Sequence, residues 1–118
     1  MPMSPRNEVF NSYAEYYDNV VRPIRDKSPT QLRLDGLPPG ADTDSPWGGF
    51  GRFRHLGRTW AVDGDTRIEA LHTAYEALQL GSEPFREEPT RKGSSLKLTE
   101  ALKAQLEYRS EYVYIYER

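Results

Sequence analysis

Gly48-Gly49-Phe50-Gly51-Arg52-Phe53-Arg54-His55-Leu56-Gly57-Arg58-Thr59-Trp60-Ala61-Val62 decides how the rest of the chain is read. Phe50 to His55 is rich in aromatic and alternating residues, a turn falls near Gly57, and Arg58 to Val62 runs extended again. The stretch therefore predicts a β-hairpin. Side chains alternate along a strand, so Arg52 and Arg54 share one face and Phe53 takes the other. Arg58, Trp60 and Val62 share a face of the second strand. Asp63-Gly64 breaks that strand.

Downstream, Thr66-Arg67-Ile68-Glu69 has the form of a capping box. Ile68, Leu71, Tyr75 and Leu78 recur at helical spacing, and Ala70, Ala74 and Ala77 favour a helix and close approach on its flanks. Gly81 suits the position just past the helix end. The pattern predicts a helix over 66–80. Ser82 to Ser95 holds Pro84 and Pro89 among charges and reads as a linker, with Phe85 tucked onto the core. Leu98, Leu102 and Leu106 repeat every four residues and predict a helix over 96–109. Glu111-Tyr112-Val113-Tyr114-Ile115-Tyr116-Glu117 alternates and predicts a terminal strand that closes the sheet by non-local pairing.

Upstream, Ser4 and Pro5 suit a helix start, and Val9, Tyr13, Tyr17 and Val20 form a stripe that Pro23 ends. That predicts a helix over 5–21 whose outer face carries Glu8, Glu15 and Asp18. Thr30 to Leu34 alternates like a short strand. Residues 35–49 are dense in Pro, Gly and Asp and read as a mobile loop. Helix, strand, hairpin, helix, helix and strand make an α+β two-layer single domain over residues 1–118, with about three helices on one face of a small antiparallel sheet.

Composition narrows the chemistry. The 118 residues include 16 Lys+Arg, 18 Asp+Glu, 2 His and no Cys, for a net charge of −2. Without cysteine there are no disulfides, thiolate metal sites or cysteine nucleophiles. No apolar stretch is long enough to span a bilayer and no signal peptide opens the chain, so a soluble, cytoplasmic protein is expected. The balance of charge argues against a globally basic nucleic-acid binder.

Local motifs are more informative. Gly48 to Val62 contains no acidic residue, and its Arg52, Arg54, His55 and Arg58 alternate with Phe50, Phe53 and Trp60. Basic groups with aromatic rings suit single-stranded nucleic acid. Arg and Trp equally suit an acidic protein surface. The glycines of 48–51 enter a strand and not a helix, so a bulge or a close backbone approach explains them better than a phosphate loop. His72 and Glu76 lie one turn apart with Glu69 nearby, a spacing that fits a metal or a general base but fits a surface His–Glu pair better. Asp63-Gly64-Asp65 is a turn and not a calcium loop. No cofactor, metal site or catalytic set is expected.

Tyrosine is the composition's outlier, with 8 residues against 4 Phe and 2 Trp. Tyr13, Tyr17 and Tyr75 fall on helical seams and are expected in the core. Tyr112, Tyr114 and Tyr116 share one side of the terminal strand, Val113 and Ile115 the other. With Val113 and Ile115 turned inward, the tyrosines become an exposed contact ladder. With the tyrosines inward, they are core.

Trp47 to Gly81, with Gly57-Arg58-Thr59-Trp60-Ala61-Val62-Asp63-Gly64 running into Ile68-Glu69-Ala70-Leu71-His72-Thr73-Ala74-Tyr75-Glu76-Ala77-Leu78, resembles short bacterial α+β proteins. These are of the kind that serve as immunity proteins of toxin systems or as phage-encoded inhibitors. The resemblance implies binding rather than catalysis. The expected function is therefore a non-catalytic protein that occupies the surface of a toxin, effector or defence component. Its expected contacts are Trp47, Arg52, Arg54, Arg58, Tyr112, Tyr114 and Tyr116. A small nucleic-acid-associated protein using hairpin 50–62 is the alternative, and self-association stays open.

Overall fold

The computed structural model describes residues 9–28, 30–31, 34, 50–106 and 113–118. In chain order these form β1 (Val9–Phe10), α1 (Tyr13–Tyr16), a π-helical stretch (Tyr17–Val21), α2 (Arg22–Asp26), β2 (Gly51–His55) and β3 (Arg58–Val62). Then follow α3 (Ile68–Gln79), β4 (Phe85–Thr90), β5 (Gly93–Leu98), α4 (Glu100–Gln105) and β6 (Ile115–Glu117). The architecture is α+β, as the sequence pattern predicts. The strands form one sheet in the order β1-β2-β3-β6-β5-β4. Every pairing is antiparallel except β1 with β2, so the sheet is mixed and not purely antiparallel.

The predicted hairpin forms β2 and β3. Its two-residue turn has Leu56 at φ 55° and Gly57 at φ 76°. Two positive φ values give a turn whose twist matches that of the strands, and glycine adopts the second without strain. The terminal strand enters the middle of the sheet, where Ile115 is opposite both Val62 and Leu96.

Residues opposite each other across paired strands share a face. Register therefore puts Phe53, Trp60, Val62, Ile115, Leu96, Leu98 and Phe85 on one side, and all are buried. Neighbouring strands lie about 4.8 Å apart, so β2 and β4 on a flat sheet would be separated by about 19 Å. Instead the Phe53 and Phe85 rings lie 6.4 Å apart, and those of His55 and Phe85 5.9 Å. The sheet is curled until its two ends nearly meet around this apolar face. Tyr13 fills the gap, edge-on to Phe53 at 5.1 Å and to Phe85 at 5.0 Å. Its hydroxyl donates to the Leu71 carbonyl of α3 at 2.6 Å, which joins the two helical layers over the concave side.

Several local expectations are corrected. Within the span expected as the first helix, Val9–Phe10 is a strand and the helix of the described residues begins at Tyr13. Ser12 is its cap, accepting from the Glu15 amide at 3.1 Å. Pro23 does not end it. Proline lacks the amide that an α-helix needs there, and the chain answers with a π-helical turn in which the Arg22 amide donates to the Tyr17 carbonyl. Pro23 then sits in the first turn of α2, where no amide is missed. Thr30, Gln31 and Leu34 are helical and exposed rather than extended, with Ser28 Oγ accepting from the Gln31 amide. The loop expected at 35–49 lies outside the described residues.

Thr66 does not cap α3. It is buried, its hydroxyl donates to the Tyr114 carbonyl at 3.2 Å, and the Tyr114 amide donates to its oxygen at 2.9 Å. The α3 face set deepest is Ala70, Leu71, Ala74 and Ala77, while Ile68, Tyr75 and Leu78 are half-buried around it. At its end Gly81 has φ 79°, and the Ser82 amide reaches the Ala77 carbonyl at 2.8 Å, closing a Schellman motif. The charged segment 82–95 is no linker: it supplies β4 and the start of β5. Leu96 and Leu98 are strand residues, so the helix expected over 96–109 is reduced to Glu100–Gln105 among the described residues.

Candidate interaction face

The convex side of the sheet gathers most of the residues singled out in the sequence. Arg52 faces Ala61, Ala61 faces Tyr116, Tyr116 faces Ser95 and Ser95 faces Glu88, so one row crosses five strands. Ala61 and Ser95 are small and buried, and Tyr116 stands half-exposed between them. The adjacent row holds Arg54 opposite Thr59, whose carbonyl accepts from the Arg118 amide at 2.9 Å. Arg54 and Arg118 are both exposed. On the other flank the Asp63 amide donates to the Tyr114 carbonyl at 2.8 Å, and Lys97 Nζ lies 5.7 Å over the Tyr114 ring. Lys97 also donates to the Val113 carbonyl at 3.4 Å.

The open question about the tyrosines is answered for two of them. Val113 is 1% exposed and Ile115 0%, both in the core, while Tyr114 and Tyr116 are half-exposed on the convex side. Partial burial pushes the Tyr116 phenol above its usual range, with the Asp63 carboxylate and Tyr114 adding to the effect. Tyr112 and Trp47 lie outside the described residues.

Arg58 does not join this face. It projects to the concave side, where its guanidinium stacks 4.9 Å over the Trp60 ring. There it bonds to Glu87 and, at 3.3 Å, to Glu117. The bond to Glu87 raises the Arg58 guanidinium and lowers the Glu87 carboxyl, so both stay charged. Phe53 and Trp60 are fully buried, and the indole Nε1 donates to the His55 carbonyl at 2.8 Å. Nearby, burial holds His55 below its usual pKa. The hairpin thus turns Arg54 fully and Arg52 partly outward, and its two central rings go into the core.

His72 has a partner that spacing could not reveal. The Tyr17 hydroxyl and His72 Nδ1 share a bond of 2.7 Å, and His72 Nε2 lies 3.0 Å from Glu76 Oε1. Tyr17 is fully buried and stacks on Tyr75 with ring centroids 4.0 Å apart. Among the described residues no group of three or more His, Cys, Asp and Glu could hold a metal ion. No helix is long and apolar enough to cross a membrane among them either.

Lys97 and Arg118 are functional candidates that the sequence reading missed. Lys97 was hidden by its assignment to a helix, and strand parity on β5 was the signal that could have exposed it. Comparison with protein-family models, with curated proteins and with solved structures finds no match to this chain.

Proposed function

We propose that the protein is a non-catalytic binding protein, of the immunity or inhibitor kind, that covers an acidic surface of a partner protein with the convex side of its sheet. One observation carries this reading: Arg52, Arg54, Lys97, Tyr114 and Tyr116 converge on a single side whose residues between them are small. Arginine supplies forked donors for carboxylates, and tyrosine supplies contact area with few rotamers to freeze. Ala61 and Ser95 leave the row between Arg52 and Glu88 shallow enough for a partner to lie against. The partner would be a toxin, effector or defence component whose working surface is acidic.

Nucleic acid is the less favoured occupant. A strand-binding face stacks bases on open rings, and Phe53 and Trp60 of the hairpin are both closed off in the core. Arg58, the third arginine of that motif, is committed to Glu87 and Glu117.

A photo-crosslinking residue placed at Thr59, on the convex side, tests the proposal in cells. A folded partner captured there, and not from a probe at Gln79 on the helical side, is the expected result. The purified pair should weaken about 100-fold or more with Arg52→Glu/Arg54→Glu, an effect of about 3 kcal/mol, and should weaken with added salt. Capture from Gln79 alone, or an affinity untouched by the double substitution, would overturn it. Salt-sensitive binding of a single-stranded oligonucleotide, lost in the same variant, would favour the nucleic-acid reading instead.

A further inference from the structure

Beside the convex face, where β6 ends and the β4–β5 turn projects, lies a cavity of about 610 Å³. Thr90, Arg91, Lys92, Ser94, Tyr116 and Arg118 line it. Its volume falls in the range of sites that enclose small organic ligands. Arg91, Lys92 and Arg118 make no ion pair with any described residue. Glu117, also in the wall, shares the single charge of Arg58 with Glu87, so the three cations outnumber the negative charge left beside them. Its carboxylate is bound by Arg58 and seated on Gly93, where a Cβ would stand 2.9 Å from Glu117 Oε1. A free main-chain carboxylate at Arg118 would offset one of the three charges and leave the cavity positive.

Three cations that outnumber their counter-charges repel one another, and an anion placed among them relieves that repulsion. Phosphate matches the set best, because guanidinium groups bind two of its oxygens at once and an ammonium group adds a point charge. Thr90 Oγ1 accepts from the Lys92 amide at 3.4 Å, which leaves its O–H as a donor. On the floor Tyr116 is half-exposed and offers a ring on which a planar group can stack.

We propose that this cavity binds a phosphomonoester carried on a planar ring, the chemistry of a nucleoside monophosphate. The phosphate meets Arg91, Lys92 and Arg118, and the ring meets Tyr116. The proposal goes beyond the protein interface and does not depend on it.

Calorimetric titration of the full chain with AMP at low salt is the test. One-to-one binding is expected, with adenosine and inorganic phosphate each weaker by about tenfold or more. Arg91→Ala/Lys92→Ala, on an exposed turn, should raise Kd about tenfold or more without moving the thermal midpoint. Tyr116→Leu should weaken AMP and leave inorganic phosphate unchanged. Absence of heat at millimolar AMP, or AMP binding that survives the double substitution, would overturn the site. So would a single-stranded oligonucleotide that binds more tightly than AMP and is insensitive to Tyr116→Leu. The protein interface is read with Arg52→Glu/Arg54→Glu, so either proposal can fail alone.

Discussion

The two sides of the sheet are built from the same strands and have opposite chemistry. On the concave side Phe53, Trp60, Val62, Ile115, Leu96 and Phe85 are buried, under helices that add Tyr13, Tyr16 and Tyr17. On the convex side the intervening positions include Arg52, Arg54, Thr59, Tyr114, Tyr116 and Lys97, all at least partly open, with the small Ala61 and Ser95 buried between them. Strand alternation lets consecutive residues serve the core and the surface separately. The curl sharpens that division, because closing the concave side into a core spreads the convex side outward.

The comparison breaks first, and most strongly, at Phe53 and its neighbour. Phe53→Ala removes a fully buried ring between Tyr13, Tyr16 and Phe85, and should cost about 3–5 kcal/mol in denaturant unfolding. Arg54→Ala, one residue on, should change stability by less than about 0.5 kcal/mol. Equal losses would mean that the convex side is also part of the core.

A smaller effect is expected among the tyrosines. The Tyr16 hydroxyl is buried with no hydrogen-bond partner among the described residues. Tyr16→Phe should therefore leave stability at neutral pH unchanged or raise it by about 1 kcal/mol, where a functional tyrosine would lose something. Burial raises the Tyr13 and Tyr16 phenols well above 10.0. The unfolded chain gives up those protons first, near the ordinary pKa of about 10. Stability from both groups is thus intact below that pH and is lost as pH rises past it. An alkaline unfolding curve should lose part of its steepness in Tyr16→Phe.

The smallest effect concerns the turn that holds β2 against β3. Leu56 is 63% exposed and has φ 55°, a conformation that costs a branched side chain and suits asparagine. Leu56→Asn should raise the thermal midpoint slightly, by about 0.5–1 kcal/mol in stability, and leave the convex side unaltered. A loss of stability would show that Leu56 makes a contact worth more than its strain.

Legibility in the sequence followed local signal. The hairpin, α3 and the terminal strand were readable because turn residues and strict periodicity sat on the same segments. Arg52 and Arg54 against Phe53, and Tyr114 and Tyr116 against Val113 and Ile115, follow from alternation alone. The hairpin β4–β5 was hidden because Pro84, Pro89 and the six charges of 82–95 read as a linker. On an edge strand proline lacks only an amide that no neighbour needs, and charges guard the open edge. The spacing of Leu98, Leu102 and Leu106 crossed from a strand into a helix and mimicked a single helix. Thr66 obeyed its capping pattern in sequence, yet a tertiary bond to Tyr114 took its hydroxyl. Arg58 shares the composition of Arg52 and Arg54, and only parity separates it from them. Its commitment to Glu87 depends on a curl that no local pattern encodes.

The central place of β6 also sets an order of events during synthesis. β2 and β3 can pair as soon as both have left the ribosome, and so can β4 and β5, because each is a local hairpin. Neither hairpin touches the other through backbone hydrogen bonds until Ile115–Glu117 arrives to bridge them. Until then β3 and β5 each keep one edge without a strand partner. A continuous convex surface across both hairpins exists only once Ile115–Glu117 has joined them.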